Sequence, residues 1–259
     1  MNGGVRLQLL GPLRAWRGDD PIDLGPVGQR AVLGLLALAD GQPVSRMELV
    51  DALWGERPPP SATNIIQSRV KHLRRALEPG RRPYARSEML PTIGDGYALE
   101  LSGVDLDLAR FQSLNANANA AHRRGDLRQA SALLAEALQL WHGPPLADVP
   151  VLAGHPKVSG LADQRCSALA RYGELLLATG AVAEALTALE QAAAEQPLDE
   201  AVWARLIHAY RAAGRRAQAF ATYHQMRRRL ADELGVDPGP ELLAAERALL
   251  AGDDTASTA

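Results

Sequence analysis

The sequence predicts a mainly α fold with a small β component: a mixed N-terminal part, then a longer all-helical part. Three observations carry this. Alanine is the commonest residue and aromatics make up only 4% of the 259 residues, which favours close-packed helices over a β-sandwich or barrel. Period-two alternation is confined to short segments before residue 103. Beyond residue 104 the apolar positions follow helical spacing, and a glycine–alanine pair recurs at a fixed interval. A hydrophobic content of 47% supplies a sizeable core. At about 150 residues per domain, the length fits one large or two small domains.

Val5 to Leu9 alternates apolar and polar residues, the pattern of a half-buried strand. Gly11-Pro12 interrupts it, Leu13 to Trp16 resumes it, and Gly18 to Pro21 forms a turn before Ile22 to Leu24, giving a small antiparallel sheet. Helical spacing begins at Val27. Val32, Leu35, Leu36, Leu38 and Ala39 form its stripe, and Asp40-Gly41 ends it. Ser45, with Glu48 three residues on, makes a capping box. The helix it opens carries Met47, Leu49, Val50, Leu53 and Trp54, with Trp54 read as a core plug. Gly55 stops the helix, and Pro58-Pro59-Pro60 stiffens the loop. Ser61 is expected to cap a third helix reaching Leu77, in which Ala62, Ile66, Val70, Leu73 and Leu77 share one face. At about 100° per residue, Asn64, Ser68, Lys71 and Arg75 lie opposite, flanked by Gln67 and Arg74. Met89 to Ile93, Gly94-Asp95-Gly96 and Tyr97 to Leu101 predict a β-hairpin. Three helices followed by a hairpin make a winged helix-turn-helix layout over residues 1–103.

From Asp105 the chain reads as wholly helical. Gly180 and Gly214 stand 34 residues apart, the tetratricopeptide period, and each is followed five residues later by alanine, Ala185 and Ala219. Gly125 and Ala130 form a further copy. Trp203, Leu206 and Tyr210 fill the large positions of the last copy's first helix, and Pro197 ends the copy before it. Residues 104–250 are therefore expected to form a tetratricopeptide-like domain, with Trp141-His142-Gly143-Pro144-Pro145-Leu146 in an insertion between the first two copies. Residues 251–259 are small and polar, a disordered tail.

The formal net charge of −2 excludes a uniformly basic coat for nucleic acid. The average is uneven: residues 1–103 carry net +2 and residues 104–259 net −4. Within 69–86, Arg69, Lys71, Arg74, Arg75, Arg81, Arg82 and Arg86 face only Glu78, a local +6. Charge alone fits an ordinary solvated face. Its place on the third helix of a winged layout points instead to the major groove, where arginine and lysine bind phosphates or guanine and asparagine and glutamine read adenine. The expected DNA-binding set is Asn64, Gln67, Ser68, Lys71, His72, Arg74 and Arg75, with His72 at the edge of the face for a phosphate contact.

Catalytic and metal-binding patterns are absent from the sequence. His72, His122, His142, His155, His208 and His224 are scattered without HExxH, and no Walker, nucleophile-elbow or dinucleotide motif occurs. Cys166 is the lone cysteine, read as a small buried thiol, so no enzyme activity, cofactor or metal is expected. Without an internal disulfide, a signal peptide or an apolar run near ~20 residues, the expectation is a cytoplasmic protein away from membranes.

In order and spacing, a series of short motifs resembles the Streptomyces antibiotic regulatory proteins, from about Val5 to Leu250. The matches are Leu10-Gly11-Pro12-Leu13, Gln29 to Leu33, Ala52-Leu53-Trp54-Gly55 with Pro58-Pro59, Val70 to Leu77 and Gly96-Tyr97. Asp107 to Phe111, Trp141 to Leu146 and Glu233 to Leu242 follow. The resemblance implies an OmpR-type winged helix joined to a bacterial transcriptional activator domain. It implies a sequence-specific activator of secondary-metabolite (antibiotic) genes, a head-to-tail dimer on direct repeats in promoter DNA near the −35 region. It further implies recruitment of RNA polymerase through its sigma factor, with Gly55, Glu56, Arg57 and Pro58 in the polymerase-facing loop. The wing departs from the family pattern at Ile93, where an arginine is usual. Its DNA contacts are then expected from Thr92, Tyr97 or backbone amides, or from Arg86 at its base. Two other readings are compatible with the residues. One is a tetratricopeptide adaptor whose winged domain docks protein rather than DNA. The other is a regulatory piece of a larger ATPase-bearing protein, against which the missing P-loop counts.

Overall fold

The computed structural model describes residues 4–82 and 85–251. In chain order these form β1 (Val5–Gln8), β2 (Arg14–Arg17), β3 (Asp20–Pro21), α1 (Val27–Leu38), β4 (Val44–Ser45), α2 (Arg46–Trp54) and α3 (Ala62–Leu77). Then come β5 (Thr92–Ile93), β6 (Gly96–Tyr97), β7 (Val104–Leu106), α4 (Asp107–Arg123), α5 (Leu127–Gln139) and α6 (Pro156–Ala178). Last are α7 (Val182–Glu195), α8 (Glu200–Ala212), α9 (Arg216–Leu234) and α10 (Pro240–Leu250). The fold is mainly helical with a small β component, as the composition and periodicity predict. The expected tail at 251–259 falls, beyond Ala251, outside the described residues.

The described residues form two compact units: those within 4–113 with 139–162, and those within 114–138 with 163–251. No single cut near residue 103 separates them, because the 139–162 segment joins the winged helix.

In the first unit, β1 to β3 pair antiparallel as expected, with Val5 opposite Arg17. β7 was not foreseen in the stretch read as helical; it adds to β1 in parallel, Val5 beside Val104. α4 starts directly after it, and the Asp107 carboxylate accepts the Leu9 and Leu10 N–H groups at 2.9 Å. Burial raises the Asp107 pKa, and these hydrogen bonds oppose the rise.

α1 is buried at every residue from Ala31 to Leu38, so it needs cover on all sides. α2 and α3 pack against it. The 139–162 segment supplies a further wall. Leu146 and Leu152 are buried, and their methyl groups lie 3.2 and 3.4 Å from where a Cβ on Gly34 would stand. The segment is fastened by His142 N–H to the Leu10 carbonyl at 2.7 Å and Leu146 N–H to the Leu9 carbonyl at 3.0 Å. Asp148 accepts from Leu13 N–H (2.7 Å), Arg14 (2.9 Å) and Arg30 (2.7 Å). Lys157 caps the Leu38 carbonyl at 3.2 Å, and Trp141 meets Phe111 edge-on at 5.2 Å. The Trp-His-Gly-Pro-Pro-Leu motif is thus a strap on the first unit.

Ser45 forms the predicted capping box with Glu48. Ser61 stands at the start of α3, but its side chain makes no cap bond. The turn after the proline loop starts that helix through Ala62 N–H to the Pro59 carbonyl at 2.9 Å. Arg17 closes the other end on the Leu77 carbonyl at 2.8 Å. The hairpin's regular ladder is shorter than expected, Thr92 with Tyr97 and Ile93 with Gly96, because Pro91 has no N–H to continue it. β6 also pairs with β4.

In the second unit the three repeat turns are alike. Gly125, Gly180 and Gly214 have φ of 81°, 84° and 70°, and Ala130, Ala185 and Ala219 are fully buried where the paired helices touch. Trp203, Leu206, Tyr223 and Met226 fill the core, and α10 closes the stack against α8 and α9.

Replacing Asp148 by alanine strips three donors of their acceptor at a site only 21% exposed. The expected loss is about 2 kcal/mol, read as a lower urea midpoint; an unchanged midpoint would refute the strap's role in stability.

Candidate nucleic-acid interface

Recognition-type geometry begins with α3. Its five apolar residues are buried, and Asn64, Gln67, Ser68, Lys71, His72 and Arg75 are exposed on the other side. The helix binds itself to the unit by one face only, leaving a polar face of short amide and hydroxyl side chains interleaved with cations. His72 Nδ1 sits 2.7 Å from the Ser68 carbonyl, which fixes the ring along the helix.

The other basic residues divide into two sets. Arg74 is turned toward the wing. Its Nε and Nη2 donate to the Leu90 carbonyl at 2.9 and 2.6 Å, and Nη2 donates to Thr92 Oγ1 at 2.9 Å. Its guanidinium lies 5.6 Å from the Tyr97 ring centre, and burial lowers its pKa. Arg69 lies 5.0 Å over the Trp54 ring, against Gly28, where a Cβ would come within 2.5 Å of its Nη2. Arg81 pairs with Glu78 at 3.5 Å. Glu78 also takes Ser87 Oγ and Glu88 N–H at 2.6 Å and Met89 N–H at 2.9 Å, and so shapes the loop before the wing. Lys71, Arg75, Arg82 and Arg86 remain exposed.

Two site expectations are corrected. Tyr97 is only 4% exposed, packed beneath Arg74 and Arg46, so it supports the wing and does not face a ligand. Arg74 is a positioning residue that ties α3 to β5. Thr92 is exposed, but its hydroxyl is already engaged by Arg74. Trp54 is half-buried beneath Arg69, a lid rather than a plug. Thr63 was missed. It is exposed at the start of α3, on an open groove with Arg46, Met47, Val50 and Asp95. Its place one turn before Gln67 was the available signal. Gly55, Glu56, Arg57 and Pro58 form an exposed loop between α2 and α3, turned by Gly55 at φ 58°.

Among the described residues, no group of three or more His, Cys, Asp or Glu side chains converges on a metal position, and no helix is long and apolar enough to cross a membrane. Cys166 is buried, its Sγ 3.6 Å from the Ala192 carbonyl, and burial pushes its pKa up to about 11.

The C-terminal domain of transcriptional regulatory proteins matches residues 19–99, and the bacterial transcriptional activator domain matches residues 106–250. Winged helix and helical repeats thus correspond to the two parts of a transcriptional regulator. The chain is 39% identical to the regulatory protein AfsR of Streptomyces coelicolor over 253 residues, 97% of this chain but 25% of that protein. It is 32% identical to the regulatory protein DnrI of Streptomyces peucetius over 254 residues, 96% of this chain and 93% of DnrI. The structure of Mycobacterium tuberculosis EmbR in complex with a low-affinity phosphopeptide superposes with a TM-score of 0.84 at 33% identity, covering 96% of this chain and 65% of that one. The chain belongs to the SARP family of transcriptional regulators.

Gly96 leaves no room for a side chain, since a Cβ would lie 2.1 Å from the Val44 carbonyl oxygen. Gly96→Ala is expected to part β6 from β4 and free the wing, seen as faster amide exchange at residues 92–97 with the repeat unit unchanged. Cys166, held as a buried thiol, should resist alkylation at pH 8 until the chain is unfolded; rapid labelling of the native protein would contradict its burial.

Proposed function

We propose that the chain is a sequence-specific DNA-binding activator of secondary-metabolite genes. It binds direct repeats near the −35 region as two head-to-tail copies and recruits RNA polymerase through its sigma factor. The observation that carries this reading is the exposed polar face of α3 beside a wing fixed in place by Arg74. Lys71 and Arg75 would bind phosphates or guanine, while Asn64, Gln67 and Ser68 stand nearest the base edges. His72 and Thr63 flank them, and Arg86 serves the backbone from the base of the wing. Ile93 and Asp95 put no positive charge at the wing tip, so base selection rests on α3. The loop Gly55 to Pro58, exposed after the C-terminal end of α2, would face the polymerase. The similarity to the regulatory proteins AfsR and DnrI of Streptomyces supports the reading as a regulator.

The test is a titration of labelled promoter DNA carrying direct repeats, at several salt concentrations. Lys71→Ala/Arg75→Ala is expected to weaken binding to all sequences and lower the salt slope by roughly two. Asn64→Ala or Gln67→Ala should cost about 1–3 kcal/mol on the cognate site alone. A wild-type chain that shows no salt-dependent, sequence-selective shift would sink the proposal.

A further inference from the structure

The net −4 of the helical half conceals a second division of charge. In the repeat unit the turn glycines close the same hydrogen-bonded turn. Gly125, Gly180 and Gly214 donate to carbonyls three residues back, and Ala130, Ala185 and Ala219 donate four residues back. Paired helices run antiparallel and pairs stack in order, so these turns share one edge of the stack and the reversals between pairs share the other. Contacts confirm the assignment. In the first half of α6, level with the end of α7, Arg165 pairs with Glu195 (2.9 Å), and Gln196 donates to Asp163 at 2.7 Å. Glu200 at the start of α8 accepts from Gly239 N–H just before α10. At the opposite end, Arg216 starts α9 and reaches the Leu249 carbonyl, at the end of α10, at 3.3 Å.

The turn edge is basic. The first turn exposes Arg123, Arg124 and Arg128, and the third exposes Arg211, Arg215 and Arg216, against Asp126 and Glu184. The reversal edge is acidic, with Asp163, Asp199, Glu200, Asp232, Glu233 and Asp237; Arg165 and Arg229 are paired to Glu195 and Glu233, and Arg227 and Arg228 stand exposed in the same turn of α9 as Arg229. The two edges also differ in apolar exposure. Leu198, Leu234 and Val236 are 36%, 54% and 47% exposed at the acidic edge, whereas among the described residues the basic edge has only Leu250, at the end of α10.

Protein hot spots set arginine among aromatic or apolar groups in desolvated pockets, and among the described residues this edge exposes no aromatic side chain and only Leu250. A polyanion needs only exposed cations, and the arginine fork fits phosphate oxygens. We infer that the basic turn edge of the repeats is a second surface for duplex DNA, gripping the phosphate backbone without reading bases. This rests on the chain being a DNA-binding protein. The edge supplies affinity and salt dependence, and α3 supplies sequence choice.

The test uses the full chain with Arg123, Arg128, Arg211 and Arg215 changed to alanine, exposed positions whose loss should leave the thermal melt intact. On a duplex with a direct repeat and long flanks, the slope of log affinity against log salt should fall by roughly two to four. The fold-loss should be equal on cognate and scrambled DNA, and lysine at the same four positions should restore the slope. If wild type binds selectively and the alanine variant keeps the same slope, this surface does not hold DNA. Two further outcomes would also overturn it. With the slope unchanged, the variant loses self-association in sedimentation, which assigns the edge to a second copy. Or, again with the slope unchanged, it loses activation in transcription in vitro, which assigns the edge to an acidic protein. A wild type that binds no DNA sinks the activator reading along with this one, so the two failures are distinguishable.

Discussion

A helix apolar on every side cannot sit at a surface, and α1 sets the terms for the first unit for that reason. Eight consecutive residues from Ala31 to Leu38 are buried. α2 and α3 cover part of the helix, and the strap covers another part with Leu146, Val149 and Leu152. Gly34 leaves space for those methyl groups, and a larger residue would push the strap away. The strap in turn rests on Asp148, whose carboxylate gathers Leu13, Arg14 and Arg30 and so ties β2, α1 and the strap together. Arg17 extends these ties to the end of α3. The orientation of the exposed polar face of α3 is therefore set partly by residues more than sixty positions further along the chain.

Arginine serves two unlike purposes within one short stretch. Arg69, Arg74 and Arg81 use their planar forks to join a ring, a carbonyl and a carboxylate. Burial lowers the pKa of Arg69 and Arg74, and both remain cations at neutral pH. Lys71, Arg75, Arg82 and Arg86 keep their charges in solvent. Within the first set, Arg74 holds the wing beside α3, while the second set stays free of such ties. Lysine in place of Arg74 would lose the fork that spans Leu90 and Thr92 together.

The helices were legible because their signals are local. The capping box at Ser45, the four-and-three stripe of α3 and the repeated glycine each act within one turn of chain. β7 was not legible, because a three-residue strand exists only by pairing with β1 about a hundred residues earlier. The packing of the strap was not legible for the same reason: its apolar residues have no period, and its partners are distant. Helical phase put Asn64, Gln67, Ser68, Lys71 and Arg75 on the exposed face correctly. It could not say that Arg74, on the flank, would find the Leu90 carbonyl, or that Tyr97 would turn under it, because both depend on how the hairpin returns over the helix.

Net charge misleads about partners whenever opposite charges are farther apart than ions can screen. In the repeat unit, α7 has 14 residues, which at 1.5 Å per residue is about 21 Å from turn edge to reversal edge. The screening length in physiological salt is about 8 Å. A polyanion at the turn edge therefore meets the arginines and hardly feels the carboxylates behind them. The same reasoning applies to the −2 of the whole chain, since cations gathered on one helix face act on what lies within a screening length. Placing each charge by the element that carries it recovers two basic surfaces from a protein whose sum is slightly acidic.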